Sequence, residues 1–393
     1  MKLFQRLLVA PATLGLLAPI SAIANEVNLN EISNYSDIES IDFANSFNSD
    51  DSNSETLIAG GEGLIDDHSH DGSFSETTTA SFSADFFLGA VDGGDQDATT
   101  AGVQEDDAVM GGYSFQIDLN TSFTGEDSLD ISLDAGNSAL TGIAEFDGND
   151  SLGTDALVVD GVSYTFPLGD KTTVIVGDNT DGSALFSTAC VYGGPSNTLD
   201  DCGNVNAGIT NGGAMAGLSY DFGSGFTAAI GYAGPEGGIM TDESDDAYGI
   251  NAAYTADNYG VSLTYGVQET TDGNTSDEDT FTAINAYYTP EGFPSISVGA
   301  EFGKDGDVVD TDELTSYFVG LTWDEVGAGS AGIALGTKTP TVENADEEYM
   351  YEAYYSYPIN DGMTITPLVF IKENAADGVD DETGMMVKTS FSF

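Results

Sequence analysis

The amino-acid sequence predicts an all-β fold, a 16-stranded antiparallel β-barrel that crosses a membrane. Three observations carry this. From residue 79 onward, apolar and polar residues alternate with a period of two in one short segment after another. From residue 156 onward, the connections alternate between short turns and long acidic loops. The segments number 16, and aromatic residues gather at the short-turn end of every second one. Composition agrees, since 49 Gly, 18 Tyr and 21 Phe against 10 Pro in 393 residues favour many short strands joined by turns.

The chain opens on a different kind of segment. "MKLFQRLLVAPATLGLLAPISAIA" (1–24) carries Lys2 and Arg6, an apolar run and then Ala22-Ile23-Ala24 ahead of Asn25. This is the pattern of a secretory signal peptide cleaved between Ala24 and Asn25. The whole chain has 67 acidic residues against 7 basic ones, a net charge of −60. Removing the leader leaves five lysines against the same 67 acids, a charge of −62, and no arginine. Such a field repels nucleic acid, which excludes DNA and RNA as partners; solubility in a salty medium is the plainer use of strong acidity. No later apolar run approaches the roughly 18 residues that a membrane helix needs. An exported chain of this kind can enter a membrane only as strands.

Residues 25–78 are Ser-, Asp- and Gly-rich and lack steady periodicity, so a disordered periplasmic segment is expected there. Its "DDHSHD" holds both histidines of the chain, His68 and His70. Two histidines beside carboxylates in such a segment are weak evidence for a metal site, and a solvated linker accounts for them more simply.

The barrel domain is expected over 79–393. Tyr113, Phe115, Ile117 and Leu119 alternate with Ser114, Gln116, Asp118 and Asn120. Leu129, Ile131, Leu133 and Ala135 alternate with Ser128, Asp130, Ser132 and Asp134. Tyr259, Val261, Leu263, Tyr265 and Val267 alternate with Gly260, Ser262, Thr264 and Gly266. Each pattern gives a strand one apolar and one polar face. Strands fit near 79–90, 110–123, 127–135, 156–168, 170–178, 213–222, 225–234, 245–255, 258–268, 278–289, 293–302, 313–323, 328–337, 347–358, 361–371 and 383–393. The segment "ALTGIAEFD" (139–147) also looks strand-like, but including it would make the count odd and put the "TGED" turn on the wrong side. It is assigned to an external loop.

Alternation alone allows a soluble sandwich. The connections favour a membrane barrel, because barrels of this class pair short periplasmic turns with longer external loops. The short connections include "PLGDK", "FGSG" and "PINDG"; the long ones include 179–212, "GPEGGIMTDESDD" and "ENAADGVDDE". Every even strand then runs down to the periplasmic interface and sets an aromatic on its apolar face there: Phe123, Tyr164 and Phe166, Tyr220 and Phe222, Tyr254, Tyr288, Trp323, Tyr355 and Tyr357, and finally Phe391 and Phe393. Rings settle at the headgroup level of a bilayer. Strand-terminal Phe393 thus closes the barrel inside an aromatic girdle, and outer-membrane lipid is the expected surrounding.

The terminal Phe, "GGYSFQIDLNTSFTGED", "VSYTFPLGDKTTVIVG" and "GAMAGLSYDFGSGFTAAIGY" resemble cyanobacterial outer-membrane porins of the carbohydrate-selective (OprB) type, some of which are labelled iron-uptake porins. The resemblance covers the signal peptide and roughly residues 79–393. It implies a passive diffusion channel, a homotrimer, and assembly by the machinery that recognises a last strand ending in Phe. Fuller members carry a surface-layer-homology domain after the signal; residues 25–78 are too short and irregular for one.

The longest connection, 179–212, follows the fifth strand. In 16-stranded porins this loop folds inward and narrows the pore, so the resemblance points to it as the constriction. The only two cysteines, Cys190 and Cys202, lie within it and should be oxidised in an exported chain. Closing that ring favours the folded loop by about 3 kcal/mol in a chain-entropy treatment.

No histidine lies in the barrel, so a Ser-His triad cannot be built there. The acidic loops match no calcium template, and no carboxylate pair stands out for glycoside cleavage. No cofactor and no enzymatic reaction are expected. The strand parity turns Asp85, Asp118, Asp130, Asp134, Asp221, Glu301 and Glu352 into the lumen, with Lys388 among the few opposing charges. Rings of acids favour cations, and without arginine neither an opposing basic cluster nor an arginine-lined sugar track can form. The expected function is a water-filled channel for small hydrophilic solutes and ions, cation-preferring, with sugars or inorganic iron as candidate cargo. The competing expectation is an acidic surface or adhesion protein whose strands form a sandwich or solenoid without a pore.

Overall fold

A computed structural model describes residues 78–93, 109–137, 155–210, 212–241, 245–272, 275–306, 313–337, 339–374 and 379–393. The expectations for the signal peptide, for 25–77, for His68 and His70 and for 139–147 lie outside these residues.

The strands are β1 (Thr78–Asp92), β2 (Met110–Thr121), β3 (Ser128–Gly136), β4 (Val158–Pro167), β5 (Thr172–Asp178), β6 (Ala214–Gly223), β7 (Phe226–Gly234), β8 (Ala247–Thr255), β9 (Tyr259–Asp272), β10 (Thr275–Tyr288), β11 (Ser295–Lys304), β12 (Glu313–Val326), β13 (Gly329–Thr337), β14 (Thr341–Val342), β15 (Tyr349–Asn360), β16 (Met363–Lys372) and β17 (Glu382–Ser392). β14 is a two-residue ribbon in the loop after β13, paired only with β12. The other 16 form one antiparallel ring in chain order. β13 pairs with β15, and β17 returns to pair with β1 (Ser83 opposite Ser392, Asp92 opposite Thr383). Closure leaves no free sheet edge, so each strand finds its backbone partners within the ring. It also rules out the sandwich and the solenoid.

The alternation in the sequence becomes an outside and an inside. Phe86 and Leu88 are about half exposed on the outer surface, while Phe87 between them is 3% exposed and points in. Ile230, Ile250, Leu263, Ile284, Val319, Ile333 and Val369 continue the exposed apolar belt around the ring. In water such a surface would be an aggregation liability, whereas in lipid it is the matched solvent.

Apart from the β9–β10 hairpin, whose strands run on to Asp272 and Thr275, the short turns lie at one end. Ser224 and Gly225 (φ 56° and 86°) make the two-residue link between β6 and β7, a turn that needs positive φ at both positions. Around this end Tyr220 packs on Phe222 (4.8 Å between ring centroids), Phe226 on Tyr254 (4.5 Å), Tyr254 on Tyr259 (5.8 Å) and Phe82 on Phe393 (5.6 Å). Much of the girdle expected from the even strands is thus made of contacting rings, joined by Phe82, Phe226 and Tyr259 from their neighbours. Phe393 also exchanges two backbone hydrogen bonds with Phe82, at 2.9 and 3.0 Å.

Candidate functional site: the barrel lumen and its inner loop

The connection between β5 and β6 carries a one-turn helix, α1 (Asn197–Asp200), and the Cys190–Cys202 disulfide (Cα–Cα 6.4 Å). Its contacts run along the inner wall from β7 to β15. The Ser187 N–H donates to Asn251 Oδ1 on β8 (2.9 Å), the Ala189 N–H to Ser262 Oγ on β9 (2.8 Å) and the Val191 N–H to Ser297 Oγ on β11 (3.0 Å). On the returning limb, Asn285 Nδ2 of β10 donates to the Cys202 carbonyl (2.9 Å) and Gln268 Nε2 of β9 to the Asn206 carbonyl (2.6 Å). Ser262 lies between the exposed Val261 and Leu263, and Ser297 between the exposed Ile296 and Val298. The residues that hold the loop thus face inward, and the loop lies inside the ring.

Two wall carboxylates hold the loop. Glu301 on β11 is 2% exposed and accepts from the backbone N–H groups of Asn206 (2.8 Å) and Ala207 (2.7 Å) and from Asn206 Nδ2 (3.0 Å). Glu352 on β15 is 4% exposed and accepts from the hydroxyls of Tyr192 and Ser196. Burial, and next the adjacent Glu352 charge, push the Tyr192 hydroxyl far above its ordinary range, so it stays the donor. The Tyr192 ring packs against Phe318 (5.3 Å) and Tyr354 (6.0 Å).

Wall glycines make room for the loop. A Cβ on Gly299 would fall 1.8 Å from the Cys202 carbonyl oxygen, and one on Gly320 would fall 2.6 Å from the Tyr192 ring. Beneath the loop, Tyr192, Leu199 and Cys202 join Phe318, Met350, Phe370 and neighbours in a buried apolar cluster that reaches Phe87 and Met386. The alternation led us to expect a polar lumen face. This part of it is apolar instead, because the loop covers it and removes it from water.

The other inward residues sit elsewhere. Asp85 pairs with Lys388 (3.1 Å), whose Nζ also stands 5.7 Å from the centre of the Phe87 ring. Asp118 accepts from Gln116 Nε2 (2.8 Å) and Ser132 Oγ (2.8 Å). Asp130 accepts from Asn120 Nδ2 (2.6 Å) and Ser128 Oγ (2.7 Å). Both acids are held within the β2–β3 face rather than by the loop. Asp134 lies opposite Gln116 on that face. Asp221, at the end of β6, is exposed and accepts from the Gly223 N–H (2.7 Å), which places it at a turn. Phe391 contacts Phe86 (5.9 Å) on the outside. Ala24 and Asn25 lie outside the described residues. Among the described residues no group of three metal-ligating side chains converges.

Sequence reasoning missed Lys372, which is 7% exposed and shares the inward parity of Leu368 and Phe370. In "PLVFIK" both faces are apolar, so alternation gave no signal there; only the exposure of Val369 and Ile371 shows which face is outer. It also missed Tyr192 and Ser196, whose partner lies about 160 residues away along the chain.

No family model and no curated protein matches the sequence. Solved structures do. A triple mutant of the Rhodopseudomonas blastica porin superposes with a TM-score of 0.54 at 16% identity, over 80% of this chain and 100% of that one. A high-pH structure of Pseudomonas putida OprB gives a TM-score of 0.57 at 13% identity, over 81% of this chain and 94% of that one. At such identities the likeness is one of fold, and the fold is that of the porins.

Proposed function

We propose that the protein is an outer-membrane porin, a passive water-filled channel for small hydrophilic solutes and ions. The observation that carries this is a closed ring of 16 strands with an apolar outer belt, an aromatic girdle and a loop laid along its inner wall. A signal peptide ending at Ala24 would deliver the chain to the periplasm. The girdle and the strand-terminal Phe393 suit insertion from there by the barrel-assembly machinery. The loop narrows the lumen from the β7–β15 side and leaves the β2–β3 face, with Asp118 and Asp130, on the water path. That face favours cations. Sugars and inorganic iron are cargo candidates from the resemblance, and a homotrimer is the assembly it implies. The test is a planar-bilayer recording of the purified protein. Discrete conductance steps are expected; a heat-modifiable barrel that never conducts would sink the channel while leaving the fold.

A further inference from the structure

The seven acids that strand parity turns inward do not share one environment, and the difference separates two jobs. We propose that Glu301 and Glu352 are positioning residues for the inner loop, and that neither is a charge met by a permeant ion. The conduction half of this inference rests on the channel reading above; the loop-holding half does not.

The outgoing limb, 187–196, and the returning limb, 202–207, are joined by the Cys190–Cys202 disulfide. Glu352 holds the first limb through Tyr192 and Ser196. Glu301 holds the second through three donors on Asn206 and Ala207. A ring closed by sulfur alone would be a compact unit free to swing as a body. The two carboxylates, on β11 and on β15, fix that unit at two separated points of the wall. Each is at most 4% exposed, so the loop that they anchor also screens them from the lumen. A carboxylate accepting from loop donors makes the stronger kind of hydrogen bond, about twice a neutral one. Losing one acceptor oxygen leaves a buried donor unsatisfied, which adds to the cost.

The depth of the loop fits a constriction. Ser262, Asn285 and Ser297, which hold its lowest part, lie two to three residues from the short-turn ends of β9, β10 and β11. Asp118 and Asp130 lie equally near the short-turn ends of β2 and β3, half-way round the ring from β10 and β11. The lowest part of the loop and the open acids therefore face each other across the lumen, with Glu301 and Glu352 farther from the short-turn end, six and eight residues along β11 and β15.

Two readouts separate the jobs. The first needs no conduction: the rate at which a soluble phosphine reduces the Cys190–Cys202 disulfide in the folded, detergent-solubilised protein. There are no free cysteines to confuse the count, and Cys202 is fully buried. Glu301→Gln and Glu352→Gln should each speed reduction about tenfold, the factor that one hydrogen bond to a charged group supplies. Should a wall variant fail to fold, Tyr192→Phe with Ser196→Ala removes the same two bonds from the loop side. The second readout is the bilayer. The K⁺/Cl⁻ permeability ratio of the Gln variants should equal that of the wild type while open-channel fluctuations grow. Unchanged reduction rates in every variant would overturn the positioning role. A lowered ratio at an unchanged reduction rate would overturn the claim that ions do not meet these charges. A wild type that does not conduct would remove the channel reading, and the reduction rates would still decide whether the acids hold the loop.

Discussion

Asp127 shows how one side chain can hold a turn. It precedes β3 and is nearly buried in the first short turn. Its Oδ1 accepts from Ser122 Oγ (2.8 Å), from the N–H groups of Phe123 (2.9 Å) and Thr124 (2.8 Å), and from Thr124 Oγ1 (2.8 Å). Its Oδ2 accepts from the Tyr164 hydroxyl (2.6 Å). The Tyr164 bond first, and then the Thr124 and Ser122 bonds, hold the carboxyl far below the usual carboxylate range against the opposing effect of burial. A depressed folded value means that the stabilisation is complete above the unfolded pKa, near 4, and is lost as pH falls below it. The wild type should therefore lose more thermal stability than Asp127→Asn between about pH 4 and pH 2. Parallel melting curves for the two proteins across that range would contradict this. At the other end of the chain, Phe393→Ser removes the ring stacked on Phe82 while the backbone bonds to Phe82 can remain. Outer-membrane levels of the variant should fall several-fold, as read from membrane fractions. Unchanged levels would show that the terminal ring is not part of the assembly signal.

At the scale of elements, the loop and the wall beneath it are complementary by subtraction. Gly299 sits under the Cys202 carbonyl, and backbone cannot yield as a flexible side chain would. Gly299→Ala should push the loop off the wall and destabilise the protein by about 1–3 kcal/mol, as overpacking of a tight interior does. Chemical denaturation would measure it, with faster disulfide reduction as the local sign. Replacing Cys190 and Cys202 together by Ser should cost about 3 kcal/mol at most in the chain-entropy treatment. The ring of strands should survive, since its pairing involves neither residue, and conductance should become larger or noisier. A single-channel record indistinguishable from the wild type would put the loop outside the ion path.

For the whole molecule, charge is the dominant property. A chain with 67 acidic residues against 7 basic ones, with Lys388 tied to Asp85 and no arginine beyond Arg6, should offer anions little foothold in the lumen. Fixed charge is screened over about 10 Å at 0.1 M salt. The K⁺/Cl⁻ permeability ratio should be high in dilute KCl and fall as salt rises. Asp118→Asn with Asp130→Asn should lower it about threefold at low salt, the effect of removing two charges near a narrow aqueous path. A reversal potential near zero in a tenfold KCl gradient at low millimolar concentrations would end the cation-selective reading. If the double variant keeps the wild-type ratio, the selectivity arises in the acidic external loops instead.

The sequence by itself determined the ring. Period-two alternation fixes which side of each strand meets lipid, and the 16 expected segments coincide with the 16 ring strands to within a few residues at their ends. Those signals are local, set by neighbours a few residues apart and by one uniform solvent outside. The gathered aromatics carried the sidedness for the same reason. The tertiary structure decided what happens inside. Parity gave Asp118, Asp130, Glu301 and Glu352 the same inward direction, yet only the fold of 179–212 across β7–β15 covers the last two. It also turned Phe87, Met350, Phe370 and Met386 into a dry cluster where a wet wall was expected. Inside a closed ring each side chain faces strands and loops tens to hundreds of residues away. Its solvent is set by those partners and not by its neighbours in sequence.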